Sequence, residues 1–115
     1  MFLKDGAILF RRRNEIPELP SGLFREQRRL KEIDLRWNEI KQLKPRVFRG
    51  ASQAKVVNLE RNHLERLDEN AFAGLVNATQ LYLARNRLKL IDPTAFRALR
   101  KLEILDLKAN RLRNV

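Results

Sequence analysis

Cysteine, histidine and serine, whose side chains commonly act in catalysis, are scarce or missing in this 115-residue sequence. There is no cysteine and only one histidine, His63, so neither a cysteine nucleophile nor a metal site built from several histidines is available. Ser21 and Ser52 are the only serines, and the sequence spacing places no general base near either. We therefore predict a chain that is not an enzyme and needs no metal or cofactor, with His63 as a solvated turn residue.

Residues suited to recognition are better represented. Trp37 is the only tryptophan, and Lys and Arg number 25 against 14 Asp and Glu, which gives a net charge of +11. Tryptophan and arginine are enriched in binding hot spots, and a strong positive charge favours acidic partners. Which of these side chains share one surface depends on the elements that position them.

Those elements follow a 24-residue repeat marked by asparagine. Leucine, isoleucine or valine recurs five and three residues before four of these asparagines and two and five residues after them, and phenylalanine lies ten residues after an asparagine in four coils. Apolar residues spaced by two predict a short strand with one inward face. A strand that recurs at this period predicts a stacked parallel sheet in a solenoid. The anchors are Asn38, Asn62, Asn86 and Asn110, preceded by a degenerate anchor at Asn14.

The asparagines have a structural explanation in such a stack. The chain must turn sharply after each strand, and asparagine tolerates such a turn. Its amide can also bond to backbone groups of its own coil and of the next. We therefore predict a ladder of asparagines that runs through the core.

The pattern Leu-x-Leu-x-x-Asn-x-Leu resembles the leucine-rich repeat family, in the 24-residue form typical of extracellular animal proteins, over residues 7–115. Segments such as ELPSGLF and AFRALRKLEILDL resemble the repeat arrays of Slit and peroxidasin. The resemblance implies an α/β-type solenoid of about four to five coils. It has a parallel sheet on the concave face and an irregular or short-helical convex side, and Asp68 and Asp92 are expected to begin short helices.

The same resemblance bears on domain organisation and setting. Residues 1–115 are expected to form a single repeat domain, with an imperfect first coil, or a strand slipped by one residue, because Arg11 replaces a core leucine. Neither the cysteine-rich caps of the family nor a signal peptide is expected in this chain, so we interpret it as a fragment of a longer array or an engineered piece. An extracellular or cell-surface location is implied, and no apolar run is long enough to span a membrane.

The outward-facing side chains of the sheet are the first candidate binding surface. They lie six, four, two and one residues before each asparagine, and they bring Trp37 beside arginines. The alternative is that Trp37 only covers its neighbours while the arginines are solvated. We predict a protein-binding surface that comprises Asp34, Arg36, Trp37, Asn58, Glu60, Arg61, Tyr82 and Arg85.

A basic ridge in the segments between each phenylalanine and the next strand is the second candidate. Stacking is expected to gather its cations along one edge, which suits a polyanion such as heparan sulfate. Nucleic acid has similar electrostatics, but no recognised nucleic-acid motif is present, so we predict no nucleic-acid partner. A third possibility is a spacer that only holds another domain. Asn77-Ala78-Thr79 is a glycosylation sequon. The ridge residues are Arg25, Arg28, Arg29, Arg49, Lys55, Arg97, Arg100 and Lys101.

Overall fold

The computed structural model describes residues 2–4, 8–10 and 15–113, with the first two segments described as backbone strands. Asn14, the predicted anchor of the first coil, lies outside the described residues. The strands are short because each coil of the repeat contributes only a few residues to the sheet. They are β1 (Phe2–Lys4), β2 (Ile8–Phe10), β3 (Glu32–Asp34), β4 (Val56–Asn58), β5 (Arg66–Leu67), β6 (Gln80–Tyr82), β7 (Leu90–Ile91) and β8 (Ile104–Asp106).

Six of these strands form the main sheet, in the order β1-β2-β3-β4-β6-β8. From β2 to β8 all neighbours are parallel, and each residue pairs with the residue 24 positions further along, as Ile33 does with Val57. The predicted parallel solenoid is therefore confirmed. A second sheet pairs β5 with β7 in parallel.

The N-terminal strands depart from the prediction. β2 keeps the 24-residue register, because Ile8 pairs with Glu32, so its strand has not slipped. β1 pairs antiparallel with β2 and was not predicted. Its signal in the sequence is Asp5-Gly6 between two apolar runs, a combination typical of a β-hairpin.

The core is a stack of equivalent side chains from successive coils. Phe24, Phe48, Phe72 and Phe96 form the predicted column, with ring centroids 5.4, 6.1 and 5.8 Å apart. Leu35, Leu59 and Leu83, each three residues before an asparagine, are fully buried. Stacked rings and leucines exclude water along the length of the solenoid, and this fixes the sheet on one side of the core.

The convex side is irregular, and the described residues contain no α-helix. The expectation that Asp68 and Asp92 begin short helices is wrong. Asp92 Oδ1 instead accepts hydrogen bonds from Thr94 N (2.8 Å) and Thr94 Oγ1 (2.6 Å), and these bonds lower the pKa of Asp92. Asp68 Oδ1 accepts from Arg66 Nε at 3.0 Å. Both segments instead close i→i+3 turns, with Ala95 N donating to Asp92 O at 2.9 Å and Ala71 N to Asp68 O at 3.2 Å.

The last described coil has an open apolar edge. Leu105 is 38% exposed although Leu81, its partner in the adjacent strand, is fully buried. Ile104 and Leu90 are also exposed. In the described part of the chain no helix has the length and hydropathy needed to cross a bilayer.

Candidate functional site

The turn after each strand is made by the residue before the asparagine, not by the asparagine itself. Trp37, Arg61, Arg85 and Ala109 all have positive φ, at 60°, 59°, 57° and 56°. The backbone N–H of each of the first three still continues the sheet ladder, as in the bond from Trp37 N to Glu60 O of 3.1 Å. The left-handed conformation, which is uncommon outside glycine, therefore fixes where the backbone directs these side chains.

The asparagines form the predicted ladder, but toward the preceding coil. Asn62 Nδ2 donates to Leu59 O in its own coil (3.0 Å) and to Leu35 O one coil earlier (2.9 Å). Its Oδ1 accepts from Ile40 N at 3.2 Å. Asn86 repeats this arrangement one coil later. The asparagine amides thereby bond to buried backbone groups that have no partner in the sheet. These bonds fix the position of the turn residues.

The column four residues before each asparagine is polar and has a structural role as well. Oδ1 of Asp34, Asn58 and Asp106 each accepts from the N–H two residues ahead, at 3.0–3.2 Å. Tyr82 breaks the series, because its hydroxyl donates to Gln80 Oε1 at 2.6 Å. The sequence predicted that these residues face one surface, and their register agrees. It did not predict that three of them hold the strand end.

Asp34 and Arg36 form a two-bond ion pair on the sheet face. Arg36 Nε lies 2.9 Å from Asp34 Oδ1, and Arg36 NH2 lies 2.7 Å from Asp34 Oδ2. The hydrogen bonds that Arg36 donates to Asp34 raise the pKa of Arg36, although partial burial opposes this shift. Because Asp34 is buried and paired, it offers little free charge to a partner.

Trp37 and Arg61 are the predicted partner-binding residues that the structure brings into contact. The guanidinium carbon of Arg61 lies 4.3 Å from the centroid of the Trp37 ring. Trp37 is 41% exposed, which is unusual for so large an apolar side chain. A cation held over an exposed indole combines two residue types that contribute strongly to protein interfaces.

An open groove of about 640 Å³ lies beside this pair, where the chain leaves the sheet. We call it the rim groove. It is lined by Trp37, Arg61 and Arg85 from the turn column. It is also lined by the column that directly follows the asparagines, which the sequence interpretation overlooked. That column reads Glu39, His63, Arg87 and Arg111, and Glu15 closes the groove at the first coil.

The predicted ridge residues differ in their surroundings. Arg25, Arg28 and Arg49 line one cleft. Further along, Arg97 NH2 pairs with Glu69 Oε1 at 3.0 Å, and Lys101 Nζ donates to Asn77 Oδ1 at 2.8 Å. All eight predicted ridge residues are exposed, and Arg97 among them forms an ion pair.

Asn77 is less accessible than the sequon implied. Its Nδ2, the atom to which a glycan would be attached, donates to Ser52 O at 2.7 Å, and the residue is half-buried. A glycan there would require that this bond be broken. Within residues 15–113, no three His, Cys, Asp or Glu side chains come close enough to hold a metal ion.

Comparison with known proteins identifies the family. A family model described as leucine rich repeat matches residues 52–112, more than half of the chain. The chain therefore belongs to the leucine-rich repeat family. No curated protein sequence matches it significantly.

Solved structures with the same fold include three receptor or repeat-domain chains. The chain in the TLR13–ssRNA13 complex is 33% identical with a TM-score of 0.81, over 90% of this chain. The leucine-rich repeat domain of APL1B is 28% identical with a TM-score of 0.89, over 96%. The chain in the Drosophila Toll–Spatzle complex is 31% identical with a TM-score of 0.82, over 86%. This chain spans 14%, 32% and 13% of those chains, respectively.

Proposed function

We propose that this chain is a non-catalytic module that binds a protein partner through the sheet face and the rim groove. The observation that carries the proposal is the exposed Trp37 ring with Arg61 stacked over it. The left-handed turn fixes the backbone under both residues before a partner arrives, so little conformational entropy is lost on binding.

The surrounding residues define the chemistry of the partner. Arg61, Arg85, Arg87 and Arg111 outnumber Glu15 and Glu39 along the rim groove. An acidic segment of the partner is therefore favoured there. On the sheet, Tyr82 and Glu60 supply half-buried polar contacts. Asp34, Arg36 and Asn58 complete the proposed surface, mainly by holding its shape through their own hydrogen bonds.

The wider setting is part of the proposal. The 24-residue repeat of the extracellular type, with its likeness to Slit and peroxidasin, supports an extracellular or cell-surface role in adhesion, guidance or matrix assembly. We further propose that residues 1–115 form a single repeat domain. A solved neighbour is a chain in the Toll–Spatzle complex, which supports a protein partner. Another solved neighbour is a chain in a complex with ssRNA13, so the experiment must distinguish a protein partner from RNA.

The test is affinity capture with the 115-residue chain from an extracellular protein extract, with and without ribonuclease. We expect proteins captured by the unaltered chain to be lost with Trp37→Ser combined with Arg61→Ser. The expected loss of affinity is about tenfold or more, because truncation of a central hot-spot residue costs about 2 kcal/mol. Circular dichroism must show that the variant is folded.

The matched control is Arg97→Ser combined with Arg100→Ser, which removes exposed cations of the convex side and leaves the rim groove intact. Capture that survives in this control and is insensitive to ribonuclease supports the proposal. Capture that survives in the Trp37 and Arg61 variant would show that the rim groove is not the site, and capture abolished by ribonuclease would replace the protein partner with RNA.

A further inference from the structure

A cleft on the convex side collects four arginines and no acidic residue. We call it the arginine cleft. It has a volume of about 550 Å³ and is lined by Arg25, Arg28, Arg46, Arg49, Gly22, Gly50 and Ser52. Among the described residues, none of the four guanidinium groups forms an ion pair, whereas Arg36, Arg66 and Arg97 each do. Four like charges around one cavity repel each other unless an anion lies between them.

The repeat accounts for this clustering and for its limits. Arg25 and Arg49 are equivalent residues of successive coils, and the next coil has Ala73 in their place. Arg28 is followed in its own column by Ser52 and then by Val76. The cleft therefore ends after two coils. It suits a compact ligand, and a long polymer would lose its cationic contacts at the third coil.

The backbone of the cleft is shaped for close approach. Arg46 has φ of 59°, and the equivalent residue one coil earlier is Gly22, with φ of 76°. An arginine thus occupies a left-handed position at which glycine would be unstrained, and strain of this kind is concentrated at functional sites. A Cβ on Gly50 would overlap the Phe24 carbonyl oxygen, so only glycine lets the two coils pack closely enough to bring their arginines together.

We propose that the arginine cleft binds a compact cluster of sulfate or phosphate ester groups. The planar guanidinium donates two parallel hydrogen bonds to such oxyanions, and four of them surround the cavity. The volume lies within the range of about 300–1,000 Å³ that is usual for small-ligand sites. The cleft shares no residue with the rim groove, so the proposal stands independently of the protein partner.

The experiment is calorimetric titration of the full 115-residue chain with two probes, inositol hexakisphosphate and a heparin-derived tetrasaccharide, at 150 mM salt, about physiological ionic strength. The cleft variant is Arg25→Ser with Arg28→Ser. Its control is Arg97→Ser with Arg100→Ser, which alters the same two columns in the fourth coil and removes the same charge. We expect the cleft variant to weaken binding about tenfold or more, since charge-assisted hydrogen bonds are lost, and the control to weaken it less than about threefold.

A second variant tests the same cleft with less risk that the chain misfolds. Arg46→Gly removes one of the four cations and relieves the left-handed strain, so we expect the chain to remain folded while binding weakens. Tighter binding of the tetrasaccharide identifies a sulfated saccharide as the source of the ligand, and tighter binding of the inositol phosphate identifies a phosphorylated small molecule. Equal losses in the cleft and control variants, or no binding of either probe, would overturn the proposal.

Discussion

Residue by residue, the left-handed turn is the feature on which the rim groove depends. Its four occupants are chemically unlike, with Trp37, Arg61 and Arg85 followed by Ala109. A left-handed conformation costs a non-glycine residue about 1–2 kcal/mol. Substitution by glycine removes this cost, but the greater entropy of glycine in the unfolded chain offsets part of the stabilisation. Because Ala109 is exposed and loses almost no contacts when shortened, we expect Ala109→Gly to raise the free energy of unfolding by about 0.5–1 kcal/mol in urea titrations.

The control for this prediction is Ala98→Gly. Ala98 is half-exposed and lies in a convex turn, but its φ is not in the left-handed region. Glycine there adds unfolded-state entropy and relieves nothing, so the free energy of unfolding should fall by about 0.5–1 kcal/mol. Both variants shifting in the same direction would contradict the assigned strain.

The same residues show how far sequence reasoning reaches at a site. Trp37 and Arg61 were predicted to be neighbours because columns of a repeat align, and their contact agrees with that spacing. The positive φ was missed because Trp, Arg and Ala carry no conformational signature, unlike glycine. Arg46 was missed for a related reason. Its column, read as Gly22, Arg46, Asn70 and Thr94, shows no shared chemistry that would mark a cleft.

Among the elements, the asparagine ladder joins each coil to the one before. Asn62 is buried and bonds to Ile40 N, Leu35 O and Leu59 O. Asn62→Ala leaves Ile40 N without a partner, which costs about 1–3 kcal/mol, whereas Leu35 O and Leu59 O each keep one donor, from Asn38 Nδ2 and Asn86 Nδ2. We expect the free energy of unfolding to fall by about 1–3 kcal/mol, which is a sizeable share of the stability of a small domain. Urea denaturation followed by Trp37 fluorescence measures it.

Asn110 offers a matched comparison. It makes the equivalent contacts two coils later, to Leu88 N, Leu83 O and Leu107 O. Unlike Asn62, however, it is only half-buried, in the last described coil. Water can replace its bonds, so Asn110→Ala should cost less than half as much as Asn62→Ala. Equal losses would show that burial of the amide does not determine its contribution.

The elements that could be predicted from the sequence are those that the repeat determines. The strands, their parallel register and the phenylalanine column all follow from apolar spacing repeated four times, so errors in one coil are corrected by the others. β1 has no equivalent in other coils, and Asp5-Gly6 alone did not outweigh the repeat pattern. The predicted helices failed because a favourable first residue such as Asp92 does not supply the length that a helix requires.

Taken whole, the molecule is a stack in which each coil contacts only its neighbours. Its stability is then close to a sum of coil and interface contributions, so equivalent residues contribute according to their place in the stack. The two proposed sites differ in the number of coils that they span. The rim groove extends from Glu15 to Arg111, whereas the arginine cleft belongs to two coils alone. A partner on the rim groove therefore depends on the alignment of the whole stack, and an anion in the cleft depends on one interface.

Leu81 and Leu105 test this dependence, because they pair with one another in adjacent strands and differ in burial, at 0% and 38% exposed. In the 115-residue chain, Leu81→Ala opens a cavity between two coils and should lower the free energy of unfolding by about 2–5 kcal/mol. Leu105→Ala removes a side chain covered on one side only, and about half of that loss or less is expected. Urea denaturation of both variants, with unchanged slope, measures the difference. Equal losses would contradict a stack of nearest-neighbour contacts and indicate that Leu105 is covered in solution by something other than its own coil.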